Sequence, residues 1–194
     1  MTVVPVTEHE REWLPRDREW TVDDLDALPD DGLQYELFDG VLVVSPAPAP
    51  RHQRAVAAIY RLLFSACPPQ LEVFFAPLDF QPTRKRSFQP DVLVARRDRI
   101  GEKNLVQPPV LAVEVLSPAT RAKDLVLYPA YYAASGVLFY WTFDPGADPD
   151  RPEFVAYELV DGRYREVVRA SADETVTVPG PYPVDVCPAT IATG

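Results

Sequence analysis

The sequence predicts an α/β (α+β) domain with a mixed central sheet flanked by helices, and three observations lead there. Through the middle of the chain the apolar patterning runs helix, strand, strand, strand, helix, strand, which packs helices against a sheet. Asp39-Gly40 and Asp161-Gly162 each separate two apolar runs, a strong hairpin signal because a type I′ turn needs positive φ at both central residues. They add an N-terminal hairpin and C-terminal antiparallel strands. Finally, 194 residues with 47% apolar and 25% charged content suffice for one domain with a real core.

Residues 1–20 show no periodicity and read as a loose arm; residues 21–194 read as the single domain. "TVDDLDALPDDG" is a short helix, with Thr21 and Asp24 spaced as a capping box and Pro29 with Gly32 ending it. The first hairpin, "YELFDGVLVVSP", follows. In "PAPAPRHQRAVAAIYRLLFSAC" a proline-stiffened lead-in gives way to a helix whose Val56, Ile59, Leu62 and Leu63 recur at three and four. "LEVFFAPLDFQP" and "PDVLVA" are strand candidates separated by the basic turn Arg84 to Arg86, and "PVLAVEVLSP" is the next. "LVLYPAYYAASG" is mostly helix, closed by Gly136. If Asp124 caps it, Pro129 falls just past the first turn, so the helix either begins late or kinks. "VLFYWTFDP" is a strand whose Phe139, Tyr140, Trp141 and Phe143 are expected to pack in the core rather than stack on bases. The hairpin on Asp161-Gly162, the strand "ETVTV" and a proline-rich end complete the chain.

A net charge of -10 argues against a protein that coats nucleic acid non-specifically, because neutralising phosphates takes clustered Lys and Arg. The clumps Arg84, Lys85, Arg86 and Arg96, Arg97, Arg99, Lys103 leave a local site open, although charge runs are usually solvated faces. Cys67 and Cys187 form no CxxC and have no histidine pair beside them, which suggests neither a disulfide framework nor a zinc site. With no apolar run near the roughly 20 residues that cross a bilayer, and an acidic start unlike a secretory leader, a cytoplasmic protein without membrane attachment is expected.

Three acids stand out. Glu114 sits inside the apolar run Val110 to Leu116, where an ionised carboxylate needs a partner, a proton or a metal. Asp91 opens the preceding strand after Pro90, and Glu36 lies in the first hairpin. Two adjacent strands carrying one carboxylate each near one sheet end can offer oxygens to Mg²⁺, which takes one or two carboxylates and leaves its other positions to water and phosphate. Each residue also has an ordinary reading. Asp91 can be a strand-start residue, Glu114 can lie where its strand emerges, and Glu36 can be an exposed hairpin residue.

"YELFDGVLVVSPAPAPRHQ", "QPDVLVA", "LAVEVLSPATRAKD" and "GVLFYWTFDP", in that order, resemble the Uma family of restriction endonucleases, a branch of the PD-(D/E)XK nuclease superfamily. The similarity runs from about Thr21 to Val178 and implies a restriction-endonuclease-like core. It matches Asp91 to the aspartate of the PD element and Glu114 to the first acid of the second element, hence to a Mg²⁺ or Mn²⁺ held by Asp91 and Glu114. Glu36 and His52 match positions near the family's site, and Asp124 an aspartate before the second helix. His52 could donate to a phosphate or act as a general base; its ordinary reading is a surface histidine beside Gln53.

The sequence departs from the pattern at the lysine. Where the parent fold has it, two residues after the second acid, stands Leu116; where this branch usually has it, four residues after the aspartate, stands Tyr128. A neutral tyrosine cannot replace a preorganised positive charge, whose loss can cost roughly 10²–10³ in rate. Lys123 and Arg121 lie just upstream as candidate substitutes. The resemblance implies a metal-dependent endonuclease acting on DNA phosphodiesters as a homodimer, since cutting two strands favours two sites, with Asp91, Glu114, Glu36, His52, Lys123 and Tyr128 as its site residues. The alternative is a catalytically inactive nuclease-fold module for nucleic-acid binding or protein assembly. A third reading, a plain interaction protein, makes the carboxylates structural.

Overall fold

The computed structural model describes residues 18–29, 31–118, 120–146 and 151–194. Most of the expected N-terminal arm, residues 1–17, lies outside the described residues. Its last residues are tied down: the Trp20 N–H donates to the Gly40 carbonyl at 2.8 Å, and Glu19 pairs with Lys85. Helix α1 (Val22–Leu25) starts where the Asp24 carboxylate accepts the Thr21 N–H at 2.8 Å, the reach-back half of a capping box.

Strands β1 (Gln34–Phe38) and β2 (Val41–Ser45) form the first hairpin, with Asp39 at φ 50° and Gly40 at φ 83° as a type I′ turn requires. Helix α2 (Pro50–Ala66) carries proline at its first position, where no N–H is needed, and buries Ala55, Ala58, Ile59 and Leu63. The segment expected as one strand, "LEVFFAPLDFQP", is two. β3 (Leu71–Phe75) joins the main sheet, whereas β4 (Phe80–Thr83) pairs with β5 (Arg86–Phe88) in the sheet of the first hairpin. Pro77, which has no N–H for a ladder, lies in the break.

The main sheet has the order β10-β9-β8-β7-β6-β3, comprising β6 (Val92–Arg96), β7 (Leu111–Val115), β8 (Phe139–Asp144), β9 (Glu153–Val160) and β10 (Arg163–Ser171) besides β3. Only β7 and β8 run parallel, joined through helix α3 (Tyr128–Ser135), which Gly136 ends at φ 83°. Asp161 and Gly162, at φ 51° and 75°, make the second hairpin as expected. The proline-rich end also hides β12 (Val184–Val186), paired with β11 (Val176–Val178), and a short helix α4 (Pro188–Thr193) against α2.

Both faces of this sheet are covered, which is why its inner strands read as unbroken apolar runs. Val92 and Val94, Val113 and Val115, and Trp141 and Phe143 face α2, α4 and β11–β12. Leu93, Ala112 and Tyr140 face an aromatic core with Phe38, Phe80, Phe88, Tyr128 and Tyr132. The β8 aromatics are therefore structural, as expected.

Ahead of α3 the chain does not start its helix late. Helical winding begins at residue 121, and Lys123–Leu127 form a wider π turn with the Tyr128 N–H on the Lys123 carbonyl. A regular α-helix would drive the Pro129 ring into the carbonyl four residues back, and a π turn relieves that clash. Asp124 is thus inside the turn, not its cap.

Candidate functional site

Register brings the two central acids together. Val92 opposes Val113 in the antiparallel β6–β7 pair, and one further step along it sets Asp91 beside Glu114. Asp91 Oδ2 accepts the Val115 N–H at 2.8 Å, which fixes the carboxylate across the end of β7. His52, in the first turn of α2, places Nε2 3.1 Å from the same oxygen. Burial disfavours a charged imidazole, but Asp91 outweighs it and raises the His52 pKa above its ordinary value.

Glu114 points into the aromatic face of the sheet and is only 3% exposed. Among the described residues its one hydrogen-bond donor is the Tyr132 hydroxyl, 2.7 Å from Oε1. Burial first, then the neighbouring Asp91 and Asp124 charges, push its pKa well above the ordinary carboxylate range. Asp124 is buried too and is pushed up to about 7, although the Thr120 hydroxyl donates to it at 2.6 Å. In its charged form such a carboxyl, with one neutral donor and acids close by, calls for a cation.

Glu36 is fully buried, not the exposed hairpin residue that its surroundings in sequence also allowed. Its Oε1 accepts the Gln89 N–H at 3.0 Å and the Tyr128 hydroxyl; its Oε2 meets Lys123 Nζ at 2.6 Å. Lys123 also reaches Ser45 Oγ at 3.2 Å and lies 5.1 Å from the centre of the Tyr128 ring. Burial works against its charge, but Glu36 prevails and holds its pKa up. All six expected site residues therefore converge, and His52, Asp91, Glu114, Lys123 and Tyr128 line one cleft of about 770 Å³. Arg121 turns away to pair with Asp144, and Leu116 is buried.

Among the described residues no three His, Cys, Asp or Glu side chains cluster closely enough to enclose a metal alone. Asp91 and Glu114 nevertheless suit a hard cation bound largely by water. Both present oxygen ligands, and Asp91 Oδ1 and Glu114 Oε2 receive no hydrogen bond among the described residues, which fits the preference of Mg²⁺ for few carboxylates and retained water.

The basic clumps singled out in the sequence are largely neutralised: Arg84, Lys85, Arg86, Arg96, Arg97 and Lys103 each pair with an acid. Sequence reasoning missed the cations of α2. Arg51, Arg54 and Arg61 make no ion pair among the described residues, and "PRHQRAVAAIYRLLFSA" contains no acid. In a chain of net charge -10, an acid-free segment of that length was the available signal.

A family model for Uma2, described as "Putative restriction endonuclease", matches residues 22–189. Among solved structures, a chain described as "a putative nuclease belonging to DUF820 from Anabaena variabilis ATCC 29413" is similar in fold. The TM-score is 0.62 at 20% identity, over 82% of this chain and 89% of that one. No curated protein matches.

Proposed function

Because the chain belongs to the Uma2 family, whose description is "Putative restriction endonuclease", we propose that it is a metal-dependent endonuclease that hydrolyses DNA phosphodiesters in the cleft at Asp91 and Glu114. The observation that carries this reading is Glu114: a buried carboxyl beside Asp91, with a tyrosine hydroxyl as its donor. Asp91 and Glu114 would hold Mg²⁺ or Mn²⁺, which when bound supplies Lewis-acid polarisation of the phosphodiester and an activated water.

The other side chains have work to do around that centre. Lys123 brings a fixed positive charge to the cleft and so offsets charge developing on the phosphate. Glu36 aims that ammonium and holds its proton, while Tyr128 and the Gln89 N–H fix Glu36 from its other oxygen. His52 Nε2 steadies Asp91 and, when protonated, can give a proton to an oxygen leaving on that side of the cleft. A homodimer would bring two such clefts to the two strands of a duplex.

The inactive-module reading draws on Tyr128, which stands where the family usually has its lysine and is buried. Against it stands Lys123, whose ammonium meets the same carboxylate. Supercoiled plasmid incubated in Mg²⁺ and in Mn²⁺ tests the choice. Nicking by the native protein and none by Asp91→Asn or Glu114→Gln supports the endonuclease; no nicking above those variants in either metal overturns it in favour of the silent module.

A further inference from the structure

Beside the cleft lies a second, smaller pocket of about 330 Å³ between α2 and β3. Val56, Ala57, Tyr60 and Phe75 make it mainly apolar, and it shares His52, Gln53 and Asp91 with the cleft. The two spaces therefore adjoin at the carboxylate proposed to hold the metal. Phe75 is 54% exposed and meets Tyr60 edge-on at 5.1 Å; Phe64, 61% exposed, stacks with Tyr60 at 5.6 Å. Exposed large aromatics grouped in this way mark a binding surface rather than ordinary scatter. At about 100° per residue, Tyr60, Phe64 and Ala57 share one stripe of α2, bordered by the stripe of Arg54 and Arg61. Arg61 lines the pocket and has no acid partner among the described residues.

We propose that this pocket receives an unpaired nucleobase, stacked on Phe75 with Tyr60 as a side wall, from the strand whose phosphate lies at Asp91 and Glu114, with Arg61 on the backbone of the adjoining nucleotide. The inference rests on the nuclease reading above and narrows its substrate to DNA that offers a single-stranded or extruded base. Size is in keeping with the assignment: at about 330 Å³ the pocket lies at the lower end of small-ligand pockets of about 300–1,000 Å³ and has room for one flat ring system. Chemistry favours it as well. An aromatic platform beside an unpaired guanidinium is the pairing that holds single strands, and every base has a face to stack.

Binding is measured by fluorescence anisotropy in Ca²⁺, using a short single-stranded DNA carrying 2-aminopurine and the same sequence as a duplex. Phe75→Ala is expected to weaken single-strand binding about five- to a hundredfold, the effect of losing one stacking ring. It should also abolish 2-aminopurine quenching and leave duplex binding unchanged. Phe75→Trp should restore both single-strand signals. Phe75 is exposed at the end of β3, and an unchanged melting temperature would confirm that the fold survives. Equal single-strand binding by the native protein and Phe75→Ala would overturn the proposal, as would no single-strand binding by the native protein. A dimer in sedimentation that Phe75→Ala dissolves would also overturn it, making the patch a self-association surface. The readout needs no cleavage: base binding without plasmid nicking would defeat the nuclease and spare the pocket, and nicking with Phe75→Ala binding normally would do the reverse.

Discussion

Replacing Lys123 with methionine separates the two roles of its charge. Lys123 Nζ and Glu36 Oε2 are 2.6 Å apart, with side chains 11% and 0% exposed. At an effective dielectric of about 20, a pair at that distance attracts by roughly 6 kcal/mol before desolvation is counted. Much of that is offset by the cost of dehydrating both ions, several kcal/mol each, so the pair as a whole contributes little net stability. Removing only the lysine is different. Glu36 would keep the Gln89 N–H and the Tyr128 hydroxyl but stay buried without its counter-ion, for which the expected loss is about 3–5 kcal/mol. Lys123→Met with Glu36→Gln removes both charges and should recover most of that stability. The rate should not recover, because a preorganised cation is still missing from the cleft, and single-turnover nicking should stay roughly 10²–10³ below the native protein. Urea unfolding gives the first quantity and plasmid nicking the second. A double variant that regains both stability and rate would refute the electrostatic role of Lys123, and a single variant that loses less than about 1 kcal/mol would refute the buried pair.

Divalent metal should stabilise the protein through its two acids. At a hundredfold excess over Kd the gain is about 2.7 kcal/mol, or roughly 5–10 °C in melting temperature for a chain of this size, and Asp91→Asn should abolish it. Without metal, stability should fall as pH rises. Asp124 has a folded pKa of about 7 against an ordinary 3.8, so the native state binds the extra proton between those values and loses that advantage as pH climbs through the window. Glu114, and His52 with its raised pKa, act in the same direction. Thermal melts from pH 4 to 8 should show the decline, and Asp124→Asn should flatten it. The hairpin glycines should differ. Gly40→Ala places a Cβ 2.7 Å from the Cβ of Glu19 at φ 83°, whereas Gly162→Ala at φ 75° meets nothing within 4 Å. Gly162→Ala should cost about 1–2 kcal/mol for the left-handed backbone and Gly40→Ala more, as read by urea unfolding.

The parts of the fold legible in the sequence were those with a local cause. Asp39-Gly40, Asp161-Gly162 and Gly136 each take the positive φ that their neighbours require, and α2 follows its apolar period. What escaped notice was decided at a distance. β4 leaves the line of β3 to pair with β5, and β12 has three residues, too few to show a period. The site divides in the same way. Glu114 announced itself as a charge within an apolar run, and Asp91 lies beside it through β6–β7 register. The burial of Glu36 comes from β5 and the π turn closing over the first hairpin, which nothing within "YELFDG" encodes. Likewise, the clump Arg84 to Arg86 lost its charge to Asp23, Glu19 and Asp39, partners remote in sequence, while the unpaired arginines of α2 stood in a stretch read only for its apolar face.

The π turn before α3 changes which positions in the sequence are equivalent. An ordinary helix stacks residues three or four apart, but this turn carries the Tyr128 N–H onto the Lys123 carbonyl, and both side chains grip the two oxygens of Glu36. Positions 123 and 128, five apart in sequence, are thus neighbours at one carboxylate. A comparison by sequence column sees a tyrosine at 128, whereas one made at the Glu36 carboxylate also sees the Lys123 ammonium beside it.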